Sequence, residues 1–179
     1  GRVLAENVQL HLSGGEHIAI VGRNGAGKTT LLRSIAQSLC ERPDLHAAYM
    51  PQHYAERFDL SETPVDFLAP FGRKDDVTRV RSFLGNAKFT RDEMCGPIGA
   101  LSGGQRAKLF FLKMVLDESD VLLLDEPTRN LSPLSAPVVR GILRDFRGSI
   151  LCVTHDRKLL DEVFDTVYEL TPLGLRQIR

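Results

Sequence analysis

An α/β fold with a mainly parallel sheet core is predicted by three observations. An apolar run, IAIV, leads into a glycine-rich loop; a helical apolar stripe follows that loop at once; and two more continuous apolar runs, VLLLD and SILCVTH, each follow a helical stripe. Continuous rather than alternating apolar runs suit strands buried on both faces, as in parallel sheets covered by helices. The same reading adds an N-terminal antiparallel β part and an inserted helical subdomain.

Each element has its own signal. In VQLHLSGGEHIAIVG, Val8, Leu10 and Leu12 alternate, Gly14 and Gly15 supply a turn, and IAIV forms a short buried run, which predicts two strands around the turn. Leu32, Ile35, Ala36 and Leu39 then recur at helical spacing. Residues 53–100 are charged, interrupted by Pro64, Pro70 and Pro97, and predict short helices over 65–71, 76–84 and 90–95. Regular order returns at residue 101. Ala107, Phe110, Phe111, Met114 and Val115 form a stripe before VLLLD, and Val138, Val139, Ile142, Leu143 and Phe146 form another before SILCVTH. The expected organisation is one domain, with a core of 1–52 and 101–179 and a helical insert of about 53–100.

GRNGAGKTT, at 22–30, matches G-x-x-x-x-G-K-[ST] through Gly22, Gly27, Lys28 and Thr29. Glycines let backbone N–H groups converge on phosphate oxygens with no Cβ in the way, and the lysine supplies a point charge for the outer phosphates. The threonine hydroxyl can ligate Mg²⁺. Strand, loop and helix in this order place the loop at a helix N-terminus, whose dipole and exposed N–H groups favour an anion. The pattern is that of a P-loop NTPase, with Gly22, Asn24, Gly25, Ala26, Gly27, Lys28, Thr29 and Thr30 as candidate nucleotide contacts.

Composition narrows the classes. With 23 Lys+Arg against 23 Asp+Glu the formal net charge is zero, so no global basic field argues for nucleic acid. Cys40, Cys95 and Cys152 are far apart with no C-x-x-C pair, which disfavours zinc and a disulfide framework and suggests a reducing, cytoplasmic setting. No apolar run reaches the roughly 18 residues of a membrane span. A chain opening on Gly1 reads as one piece of a longer polypeptide. His11, His17, His46 and His53 follow no pattern and read as surface or structural residues.

The run ending in Asp125-Glu126 offers two carboxylates whose side chains leave a strand in opposite directions. Asp125 can hold Mg²⁺ through water, and Glu126 can orient or deprotonate an attacking water. LSGGQ, at 101–105, precedes a helix and presents Ser102 with Gly103 and Gly104, a second set of backbone N–H groups at a helix N-terminus. By itself it is equally an ordinary serine N-cap.

In order, GRNGAGKT, Gln52 of YMPQ, LSGGQ, LLLDEPT and His155 of VTHD resemble the nucleotide-binding domain of the ATP-binding cassette (ABC) superfamily over nearly the whole chain. The resemblance implies ATP and Mg²⁺ as cofactors and a head-to-tail pair of cassettes. Lys28 and Thr29 of one would hold each ATP with Ser102, Gly103, Gly104 and Gln105 of the other. It further implies that Gln52 joins Thr29 and Asp125 around Mg²⁺, that His155 contacts the γ-phosphate, and that Glu126 serves the water.

Most such cassettes energise transport, so an ATPase subunit docked on a membrane permease is the default by number. FRGSILCVTHDRKLL and LSGGQRAKLFFLKMVL are instead similar to the soluble ABC-F subfamily, whose members carry two cassettes per chain and often bind the ribosome as translation or antibiotic-resistance factors. Where those members read DEPTNHLD, this chain reads DEPTRNLS, with Arg129, Asn130 and Ser132 as departures. Ser132-Pro133 still suits a helix start, but the carboxylate that normally links the two sites is gone. No Tyr, Phe or Trp precedes Tyr49, and the resemblance places the adenine-stacking aromatic of the family near or before Gly1, so these residues do not state a base preference. A third class, a non-catalytic nucleotide-gated module, is opposed by Lys28, Asp125, Glu126 and His155.

Overall fold

The computed structural model describes residues 8–129 and 131–179. They form two compact units: residues 8–52, 119–129 and 143–179 make one, and residues 53–118 and 131–142 the other.

The first unit is built on a six-stranded sheet. Its strands are β1 (His17–Val21), β2 (Ala47–Met50), β3 (Val121–Asp125), β4 (Ser149–Val153), β5 (Thr166–Thr171) and β6 (Gly174–Gln177), in the spatial order β2-β3-β4-β1-β5-β6. All neighbours run parallel except β5 and β6. Helix α1 (Lys28–Cys40) follows β1 and packs on the face of β2, β3 and β4. Leu32 and Ala36 of α1 join Ile18, Ile20, Leu123 and Leu151 in one core. The apolar runs VLLLD and SILCV are buried at every residue, as continuous runs predict.

The N-terminal expectation requires a correction. Residues 8–12 are not a strand, and the antiparallel pair among the described residues lies at the other end of the chain, in β5 and β6. Val8, Leu10 and Leu12 still alternate inward and pack against the α1 core, so the period was read correctly without the ladder partner a strand needs. Residues 1–7 lie outside the described set.

In the second unit lie α2 (Pro64–Leu68), α3 (Lys74–Asn86), α4 (Arg91–Cys95) and α5 (Gly103–Leu116). The first three lie close to the short helices expected over 65–71, 76–84 and 90–95, whereas α5, which carries the Ala107–Val115 stripe expected in the core, falls in this unit. Thr63 caps α2 by accepting the Asp66 N–H, with Pro64 in the first turn where its missing N–H costs nothing. Val80 and Leu84 of α3 meet Phe89, Ile98, Leu109 and Leu112 in a separate core. Helix α6 (Ser135–Arg144) starts later than Ser132-Pro133 suggested, yet Ser132 acts as its cap, its Oγ accepting the Ser135 N–H at 3.2 Å. A last helix, α7 (Arg157–Val163), is capped by Asp156, which accepts from Lys158 and Leu159.

Candidate functional site

Parallel strands bring distant sequence positions to one sheet edge. The carboxyl ends of β1, β2, β3 and β4 release the glycine loop, Gln52, Glu126 and His155 respectively, and ligands of open parallel sheets bind at such an edge. There the first unit carries a cleft of about 390 Å³. Asn24, Gly25, Gly27, Lys28, Thr29, Thr30, Gln52, Glu126 and His155 line it. A larger groove of about 960 Å³ lies beside α1, with Leu10, Leu12, Leu31 and Ile35 as an apolar wall and Arg42, Asp120 and Arg147 among its other lining residues.

The loop conformation explains its glycines. Gly25 and Gly27 have φ of +79° and +97°, the left-handed region that side chains disfavour. Gly22 has φ +146°, and a Cβ there would stand 2.9 Å from the Leu170 carbonyl oxygen. Gly22→Ala is therefore expected to destabilise the chain by about 1–3 kcal/mol in urea unfolding; an unchanged midpoint would remove the steric argument.

Lys28 is 7% exposed, and its Nζ donates to the carbonyls of Gly22 at 2.8 Å and Arg23 at 3.0 Å. The ammonium is thereby held inside the arch of its own loop. Burial pushes its pKa below the ordinary lysine value, and the carboxylates of Glu126 and Asp125 push back. Asp125, 1% exposed, accepts a hydrogen bond from Thr29 Oγ1 at 3.2 Å.

Glu126 takes the opposite course. Its backbone sits in the left-handed region, φ +51°, a strain of about 1–3 kcal/mol for a non-glycine residue. Its N–H donates to the Val153 carbonyl at 2.8 Å. Its carboxylate accepts the His155 backbone N–H at 3.3 Å and lies 3.7 Å from His155 Nε2. One acid thus points down to Thr29 while the next faces the cleft.

The donor set fits a magnesium ion. Thr29 and Asp125 are hard oxygen donors in contact with each other, and Mg²⁺ favours one or two protein oxygens completed by water and phosphate.

The remaining predicted residues, Ser102 to Gln105, belong to the second unit, at the start of α5. Ser102 Oγ accepts the Gln105 N–H at 3.3 Å, while Gln105 Oε1 accepts the Ser102 N–H at 2.8 Å, a reciprocal capping box. Tyr54 donates its hydroxyl to the Gly103 carbonyl at 3.2 Å, and Arg106 Nε donates to the Leu101 carbonyl at 3.1 Å. A Cβ on Gly104 would collide with the side chain of Ser135, whose own Cβ is 2.9 Å away. Glu93 of α4 accepts the Thr90 N–H at 2.8 Å and the Gln105 side-chain N–H at 2.5 Å; the first of these contacts leads in holding its carboxyl below the usual range.

Two site features escaped the sequence reading. Arg129 lines the cleft, with its N–H donating to the Glu126 carbonyl at 3.0 Å, although sequence marked it only as a departure from a family pattern. Glu93 had no signal beyond the T-x-x-E spacing of an ordinary capping box. Neither Gly22 nor Ala26 lines the cleft; the Gly22 carbonyl accepts from Lys28 Nζ, and the Ala26 N–H donates to the Arg23 carbonyl within the loop.

Comparison with known proteins shows the family and the fold. The ABC transporter family profile matches residues 5–129. The chain belongs to the ABC transporter family. It is 30% identical to the probable ATP-binding protein YbiT of Escherichia coli O157:H7, over 94% of this chain and 33% of that protein. Against ABC transporter F family member 2 of Arabidopsis thaliana identity is 29%, over 97% of this chain and 27% of that protein. The chain thus spans about a quarter to a third of these relatives. Its fold superposes on the ATP-binding cassette MJ0796, solved as a dimer in a post-hydrolysis state bound to ADP and Pi, with TM-score 0.80 at 17% identity, covering 98% of this chain and 90% of that one. No helix among the described residues is long and apolar enough to cross a membrane.

Proposed function

We propose that this ABC cassette binds and hydrolyses ATP, closing head to tail on a second cassette, and that it serves an ABC-F protein acting on ribosomes, in translation or antibiotic resistance. The observation that carries the hydrolytic part is the division of labour between adjacent acids: Asp125 is buried against Thr29, while Glu126 faces the cleft beside Lys28 and His155. The dimeric state of MJ0796 supports pairing. Similarity to a protein named as an F family member, together with FRGSILCVTHDRKLL, supports the subfamily.

The residues divide the chemistry as follows. Loop N–H groups and Lys28 hold the β- and γ-phosphates and offset charge that builds on the transferring phosphoryl group. Thr29 and Asp125, with Gln52 at the cleft wall, would hold Mg²⁺, which when bound neutralises phosphate oxygens. Glu126 orients the attacking water in line with the γ-phosphorus and accepts its proton. His155 steadies Glu126 through its backbone N–H, and its ring would contact the γ-phosphate. Ser102, Gly103 and Gly104 of a partner cassette complete the site.

The alternative is an ATPase subunit that docks a permease, for which Phe71, 84% exposed in the helical unit, is the supporting observation. Ribosome co-sedimentation of the full-length parent carrying Glu126→Gln, in ATP and in ADP, separates the two. Comigration in ATP alone is the expected result. No binding in either nucleotide would reject the ribosomal role and point to a membrane partner.

A further inference from the structure

Two capping boxes in the second unit are joined into one chain of hydrogen bonds. At α4, Thr90 Oγ1 accepts the Glu93 N–H and Glu93 Oε2 accepts the Thr90 N–H. At α5, Ser102 and Gln105 make the same reciprocal pair. The link between them is Gln105 Nε2 donating to the other carboxylate oxygen of Glu93. Both oxygens of Glu93 and both ends of the Gln105 amide are thus engaged.

We propose that Glu93 is the positioning residue of the Ser102–Gln105 turn, and that Gln105 relays its effect instead of touching nucleotide. An ionised carboxylate only accepts hydrogen bonds, so Glu93 selects the amide orientation in which Nε2 faces α4. Oε1 is then aimed at the Ser102 N–H, one of the donors that a helix start leaves unpaired. With the Ser102 and Gln105 N–H groups committed to capping, those of Gly103 and Gly104 are the donors directed at an anion. Lys108, 5% exposed, donates to the Ala87 carbonyl at 2.7 Å and lies 4.8 Å from the Phe89 ring centre, a fixed positive charge whose attraction reaches Glu93. The consequence for catalysis rests on the reading of this turn as half of an ATP site.

An exchange of partners tests the link. Gln105→Glu sets two carboxylates face to face, and Glu93→Gln cannot accept from both Thr90 and Gln105. The double variant Glu93→Gln/Gln105→Glu restores every donor to an acceptor: the amide at 93 accepts from Thr90 and donates to 105, whose carboxylate accepts from Ser102 as in any S-x-x-E box. Amide hydrogen exchange at Ser102 and Gln105, in the full-length parent, should accelerate about tenfold in each single variant, the scale of one lost bond to a charged group. The double variant should return to within about twofold of the parent, with β3 amides unchanged throughout as the folding control. Steady-state ATPase should follow the same cycle, with kcat lowered about tenfold in the single variants and fluorescent ATP binding to the glycine loop unaltered. Unchanged exchange in both single variants, or a double variant no better than the worse single, overturns the proposal. If exchange follows the cycle while the parent itself turns over no ATP, the clamp stands and the ATPase reading fails.

Discussion

Under the proposed function, Glu126→Gln is expected to lower ATP turnover by about 10²- to 10⁴-fold while ATP still binds, the scale for a general base lost with its shape kept. Three features of the site lead to this. Glu126 faces the cleft rather than the core, it is held there by the His155 N–H, and its backbone is kept in a left-handed conformation that the Val153 hydrogen bond stabilises. A glutamine fills the same space and can still accept from His155, so the fold and the nucleotide pocket should persist. Single-turnover hydrolysis beside equilibrium ATP binding in the full-length parent makes the check. A rate within twofold of the parent would mean that another group serves the water.

Lys28→Ala is expected to weaken ATP binding itself, by at least about thirtyfold, the effect of removing one partner from a buried charge pair worth 2–5 kcal/mol. Lys28 Nζ is held within the loop by the carbonyls of Gly22 and Arg23, where the proposed phosphates would compete for its donors. The loss should appear in affinity, whereas Glu126→Gln leaves affinity alone, and titration calorimetry with ATP separates them. The released carbonyls can bond water, so a thermal midpoint within a few degrees of the parent is expected. ATP affinity unchanged by Lys28→Ala would contradict the phosphate role of the loop.

How far sequence carries depends on the range of the physics involved. GRNGAGKTT, VLLLD and LSGGQ are local: the glycines, the apolar run and the Ser-x-x-Gln spacing state their own backbone geometry, and the loop, strand and capped helix all form where the residues predicted them. The helices of 53–100 follow the prolines and broken apolar runs to within a few residues, while the caps that start two of them, Thr63 and Thr90, were not marked in advance although such rules span a single turn. The strand expected over 8–12 failed because alternation reports a buried face, whereas a strand also requires a neighbour to complete its ladder.

Apolar periodicity, the glycine pattern and the adjacent acids were determined by the sequence alone, since each depends on residues within one element. Which residues meet was decided only in three dimensions. The parallel order β3-β4-β1 sets Glu126 beside His155 and Asp125 beside Thr29 across gaps of many residues, through strand register that no local pattern encodes. The direction of the Glu126 side chain, the place of Arg129 in the cleft wall and the bond from Glu93 to Gln105 are likewise tertiary. A side chain's partner depends on how the chain returns through space, and short-range propensity carries no information about that return.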